Sequence, residues 1–168
     1  MMLLWQQVVR DAEKECAVSL ETALENYLIS LLYRYIDKPE MVRKVFAVAF
    51  LQALQQQTHQ RQLSLQQVGD QCLILTGLFP HHTNRRTVKM RYFVDLGQAA
   101  YAAISNDTND SLYNTLAMRF VLLMDVLQSI RQYHDLLPLE AYEQWHELGS
   151  QRAFKILQSY TKGGNCHR

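Results

Sequence analysis

Apolar residues recur at three- and four-residue intervals along nearly the whole chain, which is the period of amphipathic helices, and no stretch requires the two-residue alternation of a strand. The punctuation agrees. A first helix is predicted over residues 2–16. Ser19 then offers an N-cap, with Glu21 and Glu25 suited to the positive end of a second helix whose Leu20, Leu24, Tyr27, Leu28, Leu31 and Tyr35 share one face. Lys38-Pro39 breaks the chain, and a third helix over 40–57 carries Val45, Val48, Ala49, Leu51 and Leu54. Nine glutamines between Gln52 and Gln71 predict a solvated surface and loop, ended by Ser64 as the cap of a fourth helix that stops near Leu78, just before Pro80.

Thr83 or Asn84 caps a fifth predicted helix, in which Val88, Tyr92, Leu96, Ala99 and Ala103 form the stripe; the run 105–110, Ser-Asn-Asp-Thr-Asn-Asp, follows as a loop. The sixth and longest helix is predicted over 111–135. Leu112, Leu116, Phe120, Leu123, Leu127 and Ile130 line one side, Val121, Leu122 and Val126 widen it, and Asn114, Asp125, Gln128 and Gln132 fall opposite. A last helical stretch over 139–160 opens after Pro138, breaks at Gly149 with Ser150 as a new cap, and ends at Gly163-Gly164. The expected fold is thus all-α: one domain over 1–168, a bundle of six or seven helices around the long 111–135 helix, with a frayed tail at 165–168. No fixed-period repeat points to a solenoid.

Composition narrows the class without naming a function. The chain has 168 residues, 48% of them hydrophobic and 20% charged, which suits a packed globule that needs no disulfide or metal staples. A net charge of +1 excludes a globally basic nucleic-acid or anionic-membrane binder. Cys16, Cys72 and Cys166 are odd in number and lack Cys-x-x-Cys spacing, so a reducing, cytoplasmic setting is expected. Gln6, Gln7, Arg10 and Asp11 cut short the apolar start, and no run reaches the roughly 18 apolar residues of a membrane span.

The chemistry concentrates in one interval. From Gln71 to Val94 there is no acidic residue, while His81, His82, Arg85, Arg86, Lys89 and Arg91 gather there. Asn84, Arg85 and Arg86 fall in the first turn of the predicted fifth helix, where free amides and the helix dipole favour an anion and arginine forks can hold a carboxylate or phosphate. The competing expectation is internal pairing with Asp135, Glu140, Glu143 and Glu147, a stretch free of Lys and Arg.

Other motifs are weaker. Glu143-x-x-His146 has the spacing of a di-iron ligand pair but lacks a second such motif. His134-Asp135 is like the paired ligands of helical HD-type phosphohydrolases, yet no later aspartate follows it. Cys72 lies in an apolar run and reads as core. No phosphate loop, nucleophile elbow or Cys-His arrangement appears, so no catalytic residue, metal ligand or cofactor is assigned.

Residues 68–101 contain Val-Gly-Asp-Gln-Cys-Leu, then Gly77-Leu78-Phe79-Pro80, Asn84-Arg85-Arg86, Tyr92-Phe93-Val94 and Gly97-x-x-Ala100-Tyr101. This pattern resembles an uncharacterised family of bacterial hypothetical proteins. The resemblance implies a bacterial, cytoplasmic helical protein and carries over no functional residue. Gly77 and Gly97 have physical readings of their own, a helix C-cap and a close helix–helix approach.

The expected function is a non-enzymatic interaction or regulatory module that meets an acidic protein or anionic ligand through Asn84, Arg85, Arg86, Lys89 and Arg91, with His81 and His82 beside them. A helical protein with an internal small-ligand pocket is the alternative, and a metalloenzyme stands third. Sequence-specific nucleic-acid binding and a membrane are disfavoured, and self-association is compatible with the sequence.

Overall fold

The computed structural model describes residues 2–35, 46–79, 90–130 and 138–165. Every regular element among them is a helix: α1 (Met2–Cys16), α2 (Thr22–Tyr35), α3 (Phe46–Gln55), α4 (Thr58–Leu78), α5 (Met90–Thr108), α6 (Ser111–Met118), α7 (Phe120–Ile130), α8 (Pro138–Leu148) and α9 (Gln151–Asn165). The all-α expectation holds, with nine helices among the described residues rather than six or seven. None of these is long and apolar enough to cross a membrane.

The centre of the packing is α4, not the 111–135 stretch. All residues from Val68 to Leu78 are buried, and α4 packs against α3, α5 and α7. A helix sheathed on all sides needs apolar or small residues around its whole circumference, and Cys-Leu-Ile-Leu-Thr-Gly-Leu supplies them. Small side chains let the neighbours close in. A methyl group added at Gly97 would lie 2.5 Å from the Phe120 ring, as the close-approach reading of that glycine requires. Gly77 does the same job rather than capping a helix end, since a methyl there would meet Leu127 Cβ at 2.5 Å.

Several predicted boundaries shift. Helix α4 starts at Thr58, six residues before Ser64, with Gln57 as an N-cap that makes no side-chain bond; the glutamine-rich interval is mostly helix. Helix α5 runs on through Ser105 to Thr108, because Asn109 alone takes the left-handed turn (φ 55°) before Asp110 caps α6. The predicted 111–135 helix divides at Arg119 (φ −102°, ψ 17°). That break is subtle, since Arg119 N still donates to Thr115 O and its carbonyl accepts from Leu123 N, both at 2.9 Å. Ser19 lies ahead of α2 and Gly163-Gly164 within α9. The break at Gly149 (φ 69°) with Ser150 following falls as predicted.

Two core stripes are corrected. On α5 the buried face is Met90, Val94, Gly97, Ala100, Tyr101 and Ile104, whereas Tyr92 and Ala99 face solvent. On α3, Val48 and Leu51 are exposed while Ala53 is buried. The predicted caps at Thr83 and Asn84, the break at Lys38-Pro39 and the 131–135 end of the sixth predicted helix lie outside the described residues.

Candidate functional site

The middle of α4 brings an ionisable group into the driest part of the molecule. Asp70 is fully buried, and its Oδ1 accepts hydrogen bonds from the Tyr27 hydroxyl (2.5 Å) on α2 and the Tyr101 hydroxyl (2.7 Å) on α5. Its Oδ2 accepts from Arg34 Nη2 at 3.3 Å, and Gln66 Nε2 donates to the Tyr27 oxygen at 3.4 Å. The rings of Tyr27, Tyr101 and Tyr113 stand 6.2–6.4 Å apart around the carboxylate, and Phe120 backs Tyr101 at 6.1 Å. Gly69 makes this possible. A methyl on it would sit 2.6 Å from Tyr101 Cε1, so a side chain there would push the tyrosine off Asp70.

Burial pushes the Asp70 carboxyl up to about 6, against the downward pull of the two tyrosine bonds and the Arg34 charge. Burial and the neighbouring carboxylate drive Tyr27 and Tyr101 far above the ordinary phenol range, so both remain protonated donors. Burial also raises Tyr113, and it lifts Tyr35 to about 12. For Arg34 burial opposes the charge, but the attraction of Asp70 and the adjacent tyrosines wins and the guanidinium stays charged. The result is a carboxylate held by donors from two other helices: it binds α2 and α5 to α4.

A second buried carboxylate joins α7 to α9. Asp125 Oδ1 accepts from Ser150 Oγ at 2.6 Å and Oδ2 from the Arg152 amide at 3.4 Å, while Ser150 Oγ accepts from the Ala153 amide at 3.1 Å. Arg152 Nη1 donates to Gln128 Oε1 (2.9 Å), and Gln128 Nε2 donates to Thr76 O (3.0 Å) on α4. Burial lifts Asp125 to about 6, opposed by the bonds from Ser150 and Arg152. Beside it the Cys16 sulfur lies 2.7 Å from Ser129 Oγ, and burial raises its thiol pKa. Asp125 and Gln128, predicted on the solvated side of their helix, are therefore buried anchors.

Of the predicted basic site, Arg91 is described. Its side chain is 57% exposed, with Nη1 donating to Glu147 O at 3.3 Å and Nε 3.7 Å from Asp95 Oδ2. His81, His82, Asn84, Arg85, Arg86 and Lys89 lie outside the described residues, as do His134 and Asp135. Glu143 and His146 are exposed, and the His146 ring stacks on Tyr142 at 5.4 Å. No group of three or more metal-ligating side chains occurs among the described residues. Cys72 is buried as expected.

Sequence reasoning missed both carboxylate centres. The available signal was a single acid inside an apolar run, Asp125 in Leu-Leu-Met-Asp-Val-Leu and Asp70 just ahead of Cys-Leu-Ile-Leu. Described members of the pattern over 68–101 do converge in space: Gly69, Asp70 and Tyr101 meet at one point, and Gly97 lies against Phe120 and Cys72. Comparison of the chain with family models, with curated proteins and with solved structures gives no match.

Proposed function

We propose that the chain is a non-enzymatic interaction module that meets an acidic partner at the start of α5, through Arg91 together with Asn84, Arg85, Arg86 and Lys89, which precede it in sequence, and with His81 and His82 just before those. The observation that carries this reading is the outward setting of Arg91 and Tyr92. Both side chains face solvent while Met90 and Val94 fix the helix to the core, so the charge can change partners without disturbing the packing. Arginine and tyrosine are the residue types that carry much of the energy at protein interfaces.

The test begins with affinity capture using the full chain, followed by binding of the purified partner to wild type and to an Arg85→Ala/Arg86→Ala/Arg91→Ala variant. Binding by the variant should be weaker by about tenfold at low ionic strength, and the gap should narrow as salt screens the charges. Unchanged binding overturns the proposal. So does a loss of folding stability of about 3–5 kcal/mol in the variant, the scale on which stranded buried partners register, because these arginines would then be internal anchors for the acidic stretch.

A further inference from the structure

The two oxygens of Asp70 are not equivalent. Oδ1 accepts from both tyrosine hydroxyls, whereas Oδ2 accepts from Arg34. Arg34 is the penultimate residue of α2, and its Nε also donates to Ser30 O at 3.3 Å, so one guanidinium joins the last turn of α2 to the centre of α4. It is also the partner nearest water: its side chain is 40% exposed, against 9% for Tyr27 and none for Tyr101.

We propose that Asp70 and Arg34 form an acid-operated latch, in which protonation of the Asp70 carboxylate releases Arg34 and loosens the last turn of α2 while both tyrosine bonds stay in place. The chemistry follows from donor and acceptor counts. Two donors already occupy Oδ1, so the incoming solvent proton goes to Oδ2 and makes it a hydroxyl, which is a donor. A guanidinium has five N–H donors and no acceptor, so it cannot accept from the new hydroxyl; with the carboxylate charge gone, its 3.3 Å contact to Oδ2 loses the charge assistance that held it, and Arg34 is released. Arg34 keeps its own proton, and water entering in its place accepts the new O–H. The freed guanidinium, already 5.6 Å from the centroid of the Tyr35 ring, is then ready for another anion.

The groups around Asp70 leave it as the titrating member. From α2 come Tyr27, Arg34 and Tyr35, from α5 Tyr101 and from α6 Tyr113; the tyrosines are all shifted upward and stay neutral. Helix α3 carries no titratable residue over Phe46–Gln55. On α7, Asp125 is turned toward Ser150 and Arg152. On α4 itself Gln66 is neutral, and Arg61 is paired with Asp107 on α5 at 2.6 Å. Burial sets the Asp70 carboxyl at about 6, inside the mildly acidic range.

Hydrogen exchange on the intact chain tests the latch, comparing the last turn of α2 with the middle of α5 after correction for intrinsic exchange. In wild type, moving from about pH 7.5 to about pH 5 should speed exchange in that turn by about tenfold relative to α5, the scale of a lost hydrogen bond to a charged group. Asp70→Asn keeps an acceptor for both tyrosines and sets an NH2 donor against the guanidinium, copying the protonated acid; its last turn should exchange fast at both pH values. Arg34→Met, at a half-exposed position, should do the same and decides the matter alone if the Asn variant does not fold. A wild-type turn insensitive to pH overturns the latch, as does a pH response that survives in either variant.

Discussion

At Asp70 the folded chain sets burial, which disfavours the carboxylate, against three hydrogen bonds that favour it. Burial wins, and the carboxyl titrates at about 6; in an unfolded chain an aspartate titrates at about 3.9. A folded pKa above the unfolded one means that the folded state holds more protons between those values. The contribution of Asp70 to stability is therefore fully present below about pH 4 and is lost as pH rises through about 6. Urea melts of wild type and Asp70→Asn isolate this group. The stability of wild type relative to Asp70→Asn should fall by on the order of 2–3 kcal/mol between about pH 4 and about pH 7.5. A difference that stays level over that range would show that the ionised carboxylate is held as well as the acid. The same proton thus acts in two directions, strengthening the fold as a whole while unpinning the end of α2.

Among the helices, two caps that look alike in sequence have different work to do. Asp110 accepts from the Leu112 amide at 2.9 Å at an exposed helix start, so Asp110→Ala should cost about 1 kcal/mol. Ser150 caps α9 through the Ala153 amide and also donates to buried Asp125, so Ser150→Ala removes a cap and a partner of a buried carboxylate, at about 2–4 kcal/mol. Equal losses in thermal melts would mean that Asp125 does not depend on Ser150. The sequence predicted Ser150 as a cap, because Gly149 before it marks the break; it could not reveal Asp125, which lies 25 positions earlier. Helical periodicity located α1, most of α2 and the Gly149 break. It missed the division at Arg119, where Arg119 still bonds to Thr115 and Leu123 and neither proline nor glycine marks the break. It also mistook the phase of α5, since small and aromatic residues lie all round that helix and the buried side is set by what Gly97 and Tyr101 touch rather than by hydropathy. The carboxylate centres were illegible for a related reason: a buried acid is recognisable by its partners, and those come from distant helices.

Across the whole molecule the polar contacts divide the fold into a body and an attachment. Helices α1 to α7 share one continuous apolar core, against which Leu148 of α8 also packs, whereas Ala141 and Ala153 form a separate small cluster with Ile156 and Leu157 between α8 and α9. What ties this pair to the body includes polar links: Asp125 to Ser150 and Arg152, Gln128 to Arg152, Lys155 Nζ to Cys16 O at 3.0 Å, and Arg91 to Glu147 O. The pair also bears a burden of its own, because both polar atoms of the Gln144 carboxamide are buried without a hydrogen-bond partner among the described residues, a penalty of about 1–3 kcal/mol for a group left unpaired. Such a unit should open at a lower free energy than the body. Native-state hydrogen exchange should accordingly find α8 and α9 less protected than α4 and α5 by at least about tenfold, a difference of about 1.4 kcal/mol. Ser150→Ala sharpens the test, since it cuts the polar tie while leaving the Asp70 centre intact. Exchange in α8 and α9 should then quicken further while the slowest amides of α4 shift only with global stability. If all nine described helices exchanged at one rate, before and after that substitution, the α8–α9 pair would belong to the same cooperative unit as the core, and the Asp125 network would be an internal brace rather than a tether.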